Sequence, residues 1–230
     1  MKINAWLNAI GLMLYPHCCI LCKGPIVAAE SHVCSPCLVD LPRSLHTNGQ
    51  SPYMQEKLWG LLPLVYSFSW LNFVSGGKVQ LLIHRLKYQT SADLARQVGI
   101  WMGAAIVKQG SYPSWDYVIP VPLPSAKFRK RGFNQAAELA RGISHVLDVP
   151  MVEALQKTQD YSTQTHLDRW QRFQNVSRQF EPAPILPKAG NALLVDDVMT
   201  TGATLTACGQ TLFARGFKVS LAVAALTQAH

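Results

Sequence analysis

Short apolar segments alternate with longer segments of helical periodicity along most of this chain, and that alternation limits the folds that it can adopt. The short segments have the β-branched and aromatic content of strands, and the longer ones repeat apolar residues every three or four positions. The strand segments are LPLVYSFSW (62–70), DYVIPVPLP (116–124), ALLVDD (192–197) and KVSLAVAAL (218–226). The helical segments are KVQLLIHRLKY (78–88), SADLARQVGIWMGAAIVKQ (91–109), FNQAAELARGISHVLD (133–148) and ATLTACGQTLFAR (203–215). Strands separated by helices predict an α/β domain, in which helices cover both faces of a parallel sheet.

Five of the six cysteines fall within twenty residues near the start of the chain, and four of them form two Cys-x-x-Cys pairs. Two such pairs can supply the four thiolates of a closed tetrahedral Zn²⁺ site, and we expect a structural zinc ion here because we find no export signal that would favour disulfides. Cys18 could replace Cys19 as the first ligand, and His17 and His32 are alternative donors. The predicted ligands are Cys19, Cys22, Cys34 and Cys37.

The chain divides into a small cysteine module and one main domain. We expect an N-terminal helix and the cysteine module in residues 1–45, a linker in 46–60 and the α/β domain in 61–230. The apolar stretch at 5–15 is too short to cross a bilayer and lacks the features of a signal peptide. We therefore expect a cytoplasmic protein without a membrane span.

Two adjacent acids end the strand segment of LLVDDVMTTGAT (193–204), and a turn rich in hydroxyls and glycine follows them. Ligands of parallel sheets bind at the carboxyl ends of the strands. The turn can offer backbone amides, threonine hydroxyls and a helix N-terminus to a phosphate. Because carboxylates repel phosphate, Asp196 and Asp197 are better suited to accept hydrogen bonds from neutral hydroxyls, or to hold a divalent cation. A phosphorylated sugar with vicinal hydroxyls meets both demands.

Two further segments carry cations, in a chain with 21 Lys and Arg against 13 Asp and Glu. KFRKRGF (127–133) places four cations within five residues and alternates them with aromatic rings, which suits single-stranded nucleic acid, although a solvated basic turn has the same composition. In TQTHLDRWQRFQNV (163–176), Arg169 and Arg172 share a helix face. This segment could close over a diphosphate, or it could be an amphipathic helix that packs Trp170 and Phe173.

The order of these motifs resembles the ComF/GntX family over nearly the whole chain, and LLVDDVMTTGAT resembles the phosphoribosyl pyrophosphate motif of type I phosphoribosyltransferases. RGFNQ (131–135) is the most distinctive piece. The resemblance implies a zinc-ribbon module ahead of a type I phosphoribosyltransferase-like domain. It places Asp196 and Asp197 at the ribose hydroxyls, as the catalytic pair. The substrate-binding positions that it implies are Thr200, Thr201, Gly202, Ala203, Thr204, Lys127, Arg129, Lys130, Arg131 and Arg172.

The same resemblance implies a role in DNA uptake and natural transformation, or in the use of DNA. The expected ligand is phosphoribosyl pyrophosphate or a related phosphosugar, bound with Mg²⁺, and the expected partners are single-stranded DNA and proteins of the DNA-import machinery. The alternative is an active phosphoribosyltransferase that moves 5-phosphoribosyl to a nitrogen acceptor and releases pyrophosphate. No group of residues that would recognise a nucleobase is evident in the sequence, which favours ligand binding over transfer.

Overall fold

A computed structural model describes residues 18–27, 30–88, 92–158 and 179–227 of the chain. Four strands form a parallel sheet in the order β1, β6, β5, β2, and β3 pairs with β4 in an antiparallel ribbon. The strands are β1 (Leu64–Asn72), β2 (Tyr117–Pro120), β3 (Leu155–Lys157), β4 (Phe180–Pro182), β5 (Asn191–Met199) and β6 (Lys218–Leu226). The helices are α1 (Ser35–Val39), α2 (Pro52–Leu58), α3 (Lys78–Tyr88), α4 (Ala92–Gln109), α5 (Ser125–Arg131), α6 (Gln135–Leu147) and α7 (Ala203–Phe213).

The central strands bury both of their faces, as continuous apolar runs in a covered parallel sheet do. Side chains alternate along β5, so that Leu193 and Val195 join a core with α3, α4 and α6. Leu194 lies on the other face, in a second core to which α2 and α7 contribute. The sheet therefore has helices on both faces, which confirms the fold class predicted from the sequence.

The cysteine module packs on the main domain rather than standing apart from it. Its Leu21 and Leu41 belong to the same buried cluster as Trp70 of β1. The end of the module also extends the sheet edge, since the Ser44 N–H donates to the Trp70 carbonyl at 3.1 Å.

Residues 46–60, which we expected to form a linker, contain helix α2. The segment is polar and rich in turn formers, but Met54 and Leu58 lie four positions apart and give the short helix one fully buried face. The Ser51 N–H, which precedes α2, donates to the Ser67 carbonyl of β1 at 2.8 Å. This segment is therefore part of the domain's core, and the boundaries at residues 45 and 60 remain predictions.

Two further expectations concern the N-terminal helix and membrane spans. The N-terminal helix lies outside the described residues, which begin at Cys18. Within the described ranges, every helix is too short or too polar to reach across a bilayer.

Candidate functional site

The acid pair lies at the carboxyl edge of the sheet, inside β5 rather than at its end. We expected the strand to stop at Asp197, but it continues through Met199 because Val198 and Met199 keep the ladder with β6. The residue opposite Asp196 in that ladder is Val223. Both acids are partly buried by the neighbouring strand and the helices.

The two carboxylates point to opposite faces of the sheet, as consecutive residues of a strand must. Asp196 lines a concavity together with Thr200, Thr201, Gly202, Ala203 and Thr204. Asp197 is not among the described residues that line it. Its Oδ2 instead lies 3.4 Å from Lys87 Nζ at the end of α3. The structure thus brings one acid of the pair, and not both, to the loop that follows β5.

The electrostatic surroundings of Asp196 raise its pKa. Burial and the charge of Asp197 raise the pKa of Asp196 to about 8, against the opposing effects of the Asp197 N–H, Lys87 and Lys127. That N–H donates to Asp196 Oδ1 at 2.8 Å. The shift favours the neutral form of Asp196, which can both donate and accept a hydrogen bond.

The loop after β5 presents hydroxyls to solvent and a glycine to the interior. Thr200, Thr201 and Thr204 are exposed, whereas Gly202 is buried with φ 82° immediately before α7. A Cβ on Gly202 would lie 2.8 Å from Leu58 Cδ2 and 3.0 Å from Met199 Cε. Glycine suits this position, because a side chain would be strained at this left-handed φ and would displace the ends of Leu58 and Met199.

The basic segment after β2 begins at the same edge of the sheet as Asp196. The Val121 N–H, which precedes this segment, donates at 2.9 Å to the carbonyl of Val195, the neighbour of Asp196 in the chain. The segment forms the short helix α5 rather than an irregular turn, and this helix begins after Pro124 and ends at Gly132 with φ 80°. Asn134 then caps α6 by accepting from the Ala136 N–H at 3.1 Å.

The cations of α5 differ in their surroundings. Arg131 donates to Gln135 Oε1 at 2.9 Å. Lys127, Arg129 and Lys130 are exposed, and none of the ion pairs among the described residues includes them. Phe128 between them is 49% exposed. The helix therefore offers a basic surface with an accessible ring.

Arg172, the remaining predicted contact, lies outside the described residues, as does the whole of 163–176. Lys87 was missed as a site residue because the sequence indicates only a cation on the polar side of α3. Its pairing with Asp197 arises from tertiary packing, and no local pattern signals it.

The four predicted cysteine ligands come together. The sulfurs of Cys19, Cys22, Cys34 and Cys37 all lie within 4.8 Å of one another, and Cys18 is not in the group. Cys22 Sγ and Cys34 Sγ are 3.7 Å apart, close to the separation of about 3.8 Å that a tetrahedron with metal–sulfur bonds of about 2.3 Å requires. The donor set therefore fits a single metal ion.

Backbone amides support the first of these sulfurs. The N–H groups of Leu21 and Cys34 each donate to Cys19 Sγ at 3.4 Å. Burial acts against the thiolate, but these amides and that of Cys22 together lower the pKa of Cys19 to about 6. Burial raises the pKa of Cys37 to about 12, with further contributions from the neighbouring thiols. Four thiolates at such short distances need a cation to balance their charge.

Curated relatives cover most of the chain. Competence protein F of Haemophilus influenzae is 29% identical over 202 residues, which is 81% of this chain and 86% of that protein. The DNA utilization protein YhgH of Salmonella typhi is 26% identical over 216 residues, which is 89% of this chain and 94% of its own length. YhgH of Escherichia coli K12 has the same identity and coverage. No family model matches the chain.

Solved structures align more loosely. A glutamine phosphoribosyl pyrophosphate amidotransferase from Bacillus subtilis has a TM-score of 0.42 and 19% identity over 61% of this chain, and the chain spans only 30% of that enzyme. A hypothetical protein from Neisseria gonorrhoeae with bound ppGpp has a TM-score of 0.33 and 17% identity, over 59% of this chain and 69% of its own. The fold therefore rests on the strand order and register described above. Over most of its length the chain is similar to Competence protein F and to YhgH, in agreement with the resemblance of its motifs to the ComF/GntX family.

Proposed function

We propose that this protein binds phosphoribosyl pyrophosphate, or a related phosphosugar, at the carboxyl end of β5, and that it acts in the uptake or use of DNA. The observation that carries the ligand is the shared concavity of Asp196 and the loop Thr200–Thr204. It sets a hydroxyl-binding carboxyl group beside a glycine-containing turn at a helix N-terminus. The names of the relatives, a competence protein and a DNA utilization protein, support the biological role.

The loop would bind the 5′-phosphate through backbone amides and the hydroxyls of Thr200, Thr201 and Thr204. Asp196 would bind the hydroxyls of the ribose, and its proton suits that task because a neutral carboxyl group does not repel the phosphates. Mg²⁺ would arrive with the diphosphate, whose oxygens are the hard ligands that it prefers. Lys127, whose charge acts on Asp196, would reach the ligand from α5, and Arg129, Lys130, Arg131 and Arg172 remain predicted contacts.

A structural Zn²⁺ ion would occupy the four-sulfur centre. Its thiolates leave no open coordination position, so the ion would fold and hold the module without chemistry of its own. Because the buried ligands Cys19, Cys34 and Cys37 belong to the core that includes β1, the ion would also support the sheet edge.

Single-stranded DNA would bind along α5, where the exposed cations can neutralise phosphates and Phe128 can stack on a base. The site edge and the basic helix are adjacent, so one surface can serve the phosphosugar and the DNA. Contacts with DNA-import proteins remain a prediction.

The test is calorimetric binding of phosphoribosyl pyrophosphate with Mg²⁺, compared with ribose 5-phosphate and a single-stranded oligonucleotide. We expect Asp196→Asn and Gly202→Ala to lose phosphosugar binding. The matched control is Asp148→Asn, which makes the same chemical change at an exposed residue with φ 53° that asparagine tolerates. Absence of phosphosugar binding by the unaltered protein would overturn the ligand proposal. Pyrophosphate release with a nitrogen acceptor would support transfer instead.

A further inference from the structure

The four-sulfur centre lies beside a groove that the cysteine module and the main domain line together. Three of the four sulfur ligands, Cys22, Cys34 and Cys37, line this groove, which has a volume of about 610 Å³. Lys78, the first residue of α3, lines it from the main domain. It is the only cation among the described residues that line the groove. The groove therefore sets one ammonium group of the main domain beside the sulfur ligands.

Lys78 pairs with the helix that presents two of these ligands. Its Nζ donates to Asp40 Oδ2 at 2.7 Å. Asp40 follows the last residue of α1, a helix that begins directly after Cys34 and contains Cys37. The oxygens of Glu30, the other carboxylate of the groove, accept from backbone N–H groups of the module instead. The ion pair therefore joins α1 of the module to α3 of the main domain.

The ion pair alone does not account for a lysine at this position. A cation in the first turn of a helix is unfavourable, because the helix N-terminus carries a partial positive charge. The Lys78 and Asp40 side chains are 39% and 68% exposed, and a pair this open to solvent contributes little to stability. Four thiolates around a Zn²⁺ ion are doubly negative, and an ammonium group beside them offsets that charge. The hydrogen bond to Asp40 raises the pKa of Lys78, and Cys37 acts in the same direction.

We propose that Lys78 supports the metal centre from the main domain: its ammonium group offsets the charge of the sulfur ligands, and its pairing with Asp40 orients that group. This assignment rests on the proposed zinc centre and adds a residue of the main domain to it. Lys78 is a positioning residue and not a metal ligand. Metal binding then strengthens the contact between the module and α3, because the attraction depends on the bound thiolates.

The zinc affinity of the intact protein, measured by competition with a chromophoric chelator, tests the role of this charge. Lys78→Met should weaken zinc binding about tenfold or more, as the loss of a group that supports metal ligands does. Lys78→Arg should keep most of the affinity, because it keeps a cation that can reach Asp40. Lys108→Met is the matched control, since it makes the same change at an exposed lysine in the last turn of α4 and should leave the affinity unchanged.

Salt distinguishes a role of the charge from a role in packing. The difference in zinc affinity between Lys78→Met and the unaltered protein should shrink at high salt, which screens a partly exposed charge and does not remove a packing contact. Zinc affinity in Lys78→Met equal to that of the unaltered protein, or a difference that salt does not change, would overturn this assignment and leave the zinc centre standing. Failure of the unaltered protein to bind zinc would overturn both.

Asp40→Asn separates the action of the ammonium group on the sulfurs from the ion pair itself. This variant should weaken zinc binding less than Lys78→Met does, because the ammonium group stays in the groove and a nearby negative charge is lost. An equal loss in Asp40→Asn and Lys78→Met would show that the ion pair holds α1 in place without acting on the sulfur ligands, which contradicts the assignment.

Discussion

Gly99 of α4 and Gly142 of α6 lie in backbone contact, because neither residue has a side chain to keep the two helices apart. A Cβ on Gly99 would lie 3.0 Å from the Gly142 Cα, and one on Gly142 would lie 2.2 Å from the Arg96 carbonyl oxygen. The close approach also brings Arg96 within 2.9 Å of Glu138 Oε2. Helix α6 begins directly after the basic segment. The contact between α4 and α6 therefore helps to fix the position of α5.

Gly142→Ala should destabilise the protein, although alanine is the better helix former. The added methyl group meets backbone atoms that cannot move without separating the helices, and such overpacking costs about 1–3 kcal/mol or more. Urea unfolding would measure the change in the free energy of unfolding. The comparison is Ala104→Gly at an exposed position of α4, which should cost about 1 kcal/mol from propensity alone. Stabilisation by Gly142→Ala would show that the helices are not in contact as described.

Elements with a strong apolar pattern could be predicted closely from the sequence. The bounds of α3 and β6 agree with the predicted segments because buried side chains set where these elements begin and end. Helix α5 was missed since it buries no residue and so has no apolar periodicity. Helix α2 was missed because a short polar segment shows its two buried residues only once the sheet is present.

The candidate site divides in the same way. The threonine loop and the cysteine pairs could be found because their members are neighbours in the sequence. The separation of Asp196 from Asp197 follows from strand alternation, since both acids lie within β5. The pairing of Lys87 with Asp197 depends on how α3 packs, which no local pattern contains.

The stability of the free protein should depend on pH through Asp196. Its pKa is raised to about 8 in the folded state from the ordinary value of 3.8, so the folded state retains a proton that the unfolded state releases. The resulting stabilisation is fully present below pH 3.8 and is lost as the pH rises toward 8. Asparagine stays neutral throughout. The melting temperature of Asp196→Asn should therefore rise relative to that of the unaltered protein as the pH increases from 5 to 8.

Calorimetric melting at several pH values, without Mg²⁺ or phosphosugar, measures that difference. Asp148→Asn supplies the baseline, because it makes the same chemical change at an exposed side chain. A difference for Asp196→Asn that stays constant over this range would contradict the raised pKa.

Metal removal should loosen the sheet edge as well as the cysteine module. Cys19, Cys34 and Cys37 share one buried cluster with Trp70 of β1, so loss of the metal leaves that part of the core without its support. We expect one zinc ion per chain by elemental analysis, and a fall in melting temperature on the order of 10 °C on chelation or in Cys34→Ser. Cys18→Ser should retain the metal and the melting temperature, because Cys18 is exposed and outside the sulfur group. Equal metal loss in both variants would mean that the ligand set is wrong.

The basic helix should determine the salt dependence of binding to single-stranded DNA. Replacing Lys127, Arg129 and Lys130 together by alanine removes three exposed cations, each of which can release about 0.7 of a counterion when it meets a phosphate of a single strand. The slope of log affinity against log salt should therefore become shallower by about 2. Fluorescence anisotropy with a labelled oligonucleotide at several salt concentrations gives this slope.

The matched control removes three exposed cations from the amino-terminal side of the sheet: Lys188, Arg215 and Lys218. A similar loss of slope in both triple variants would show that DNA responds to net charge rather than to α5, and an unchanged slope in the α5 variant would exclude the helix as the contact.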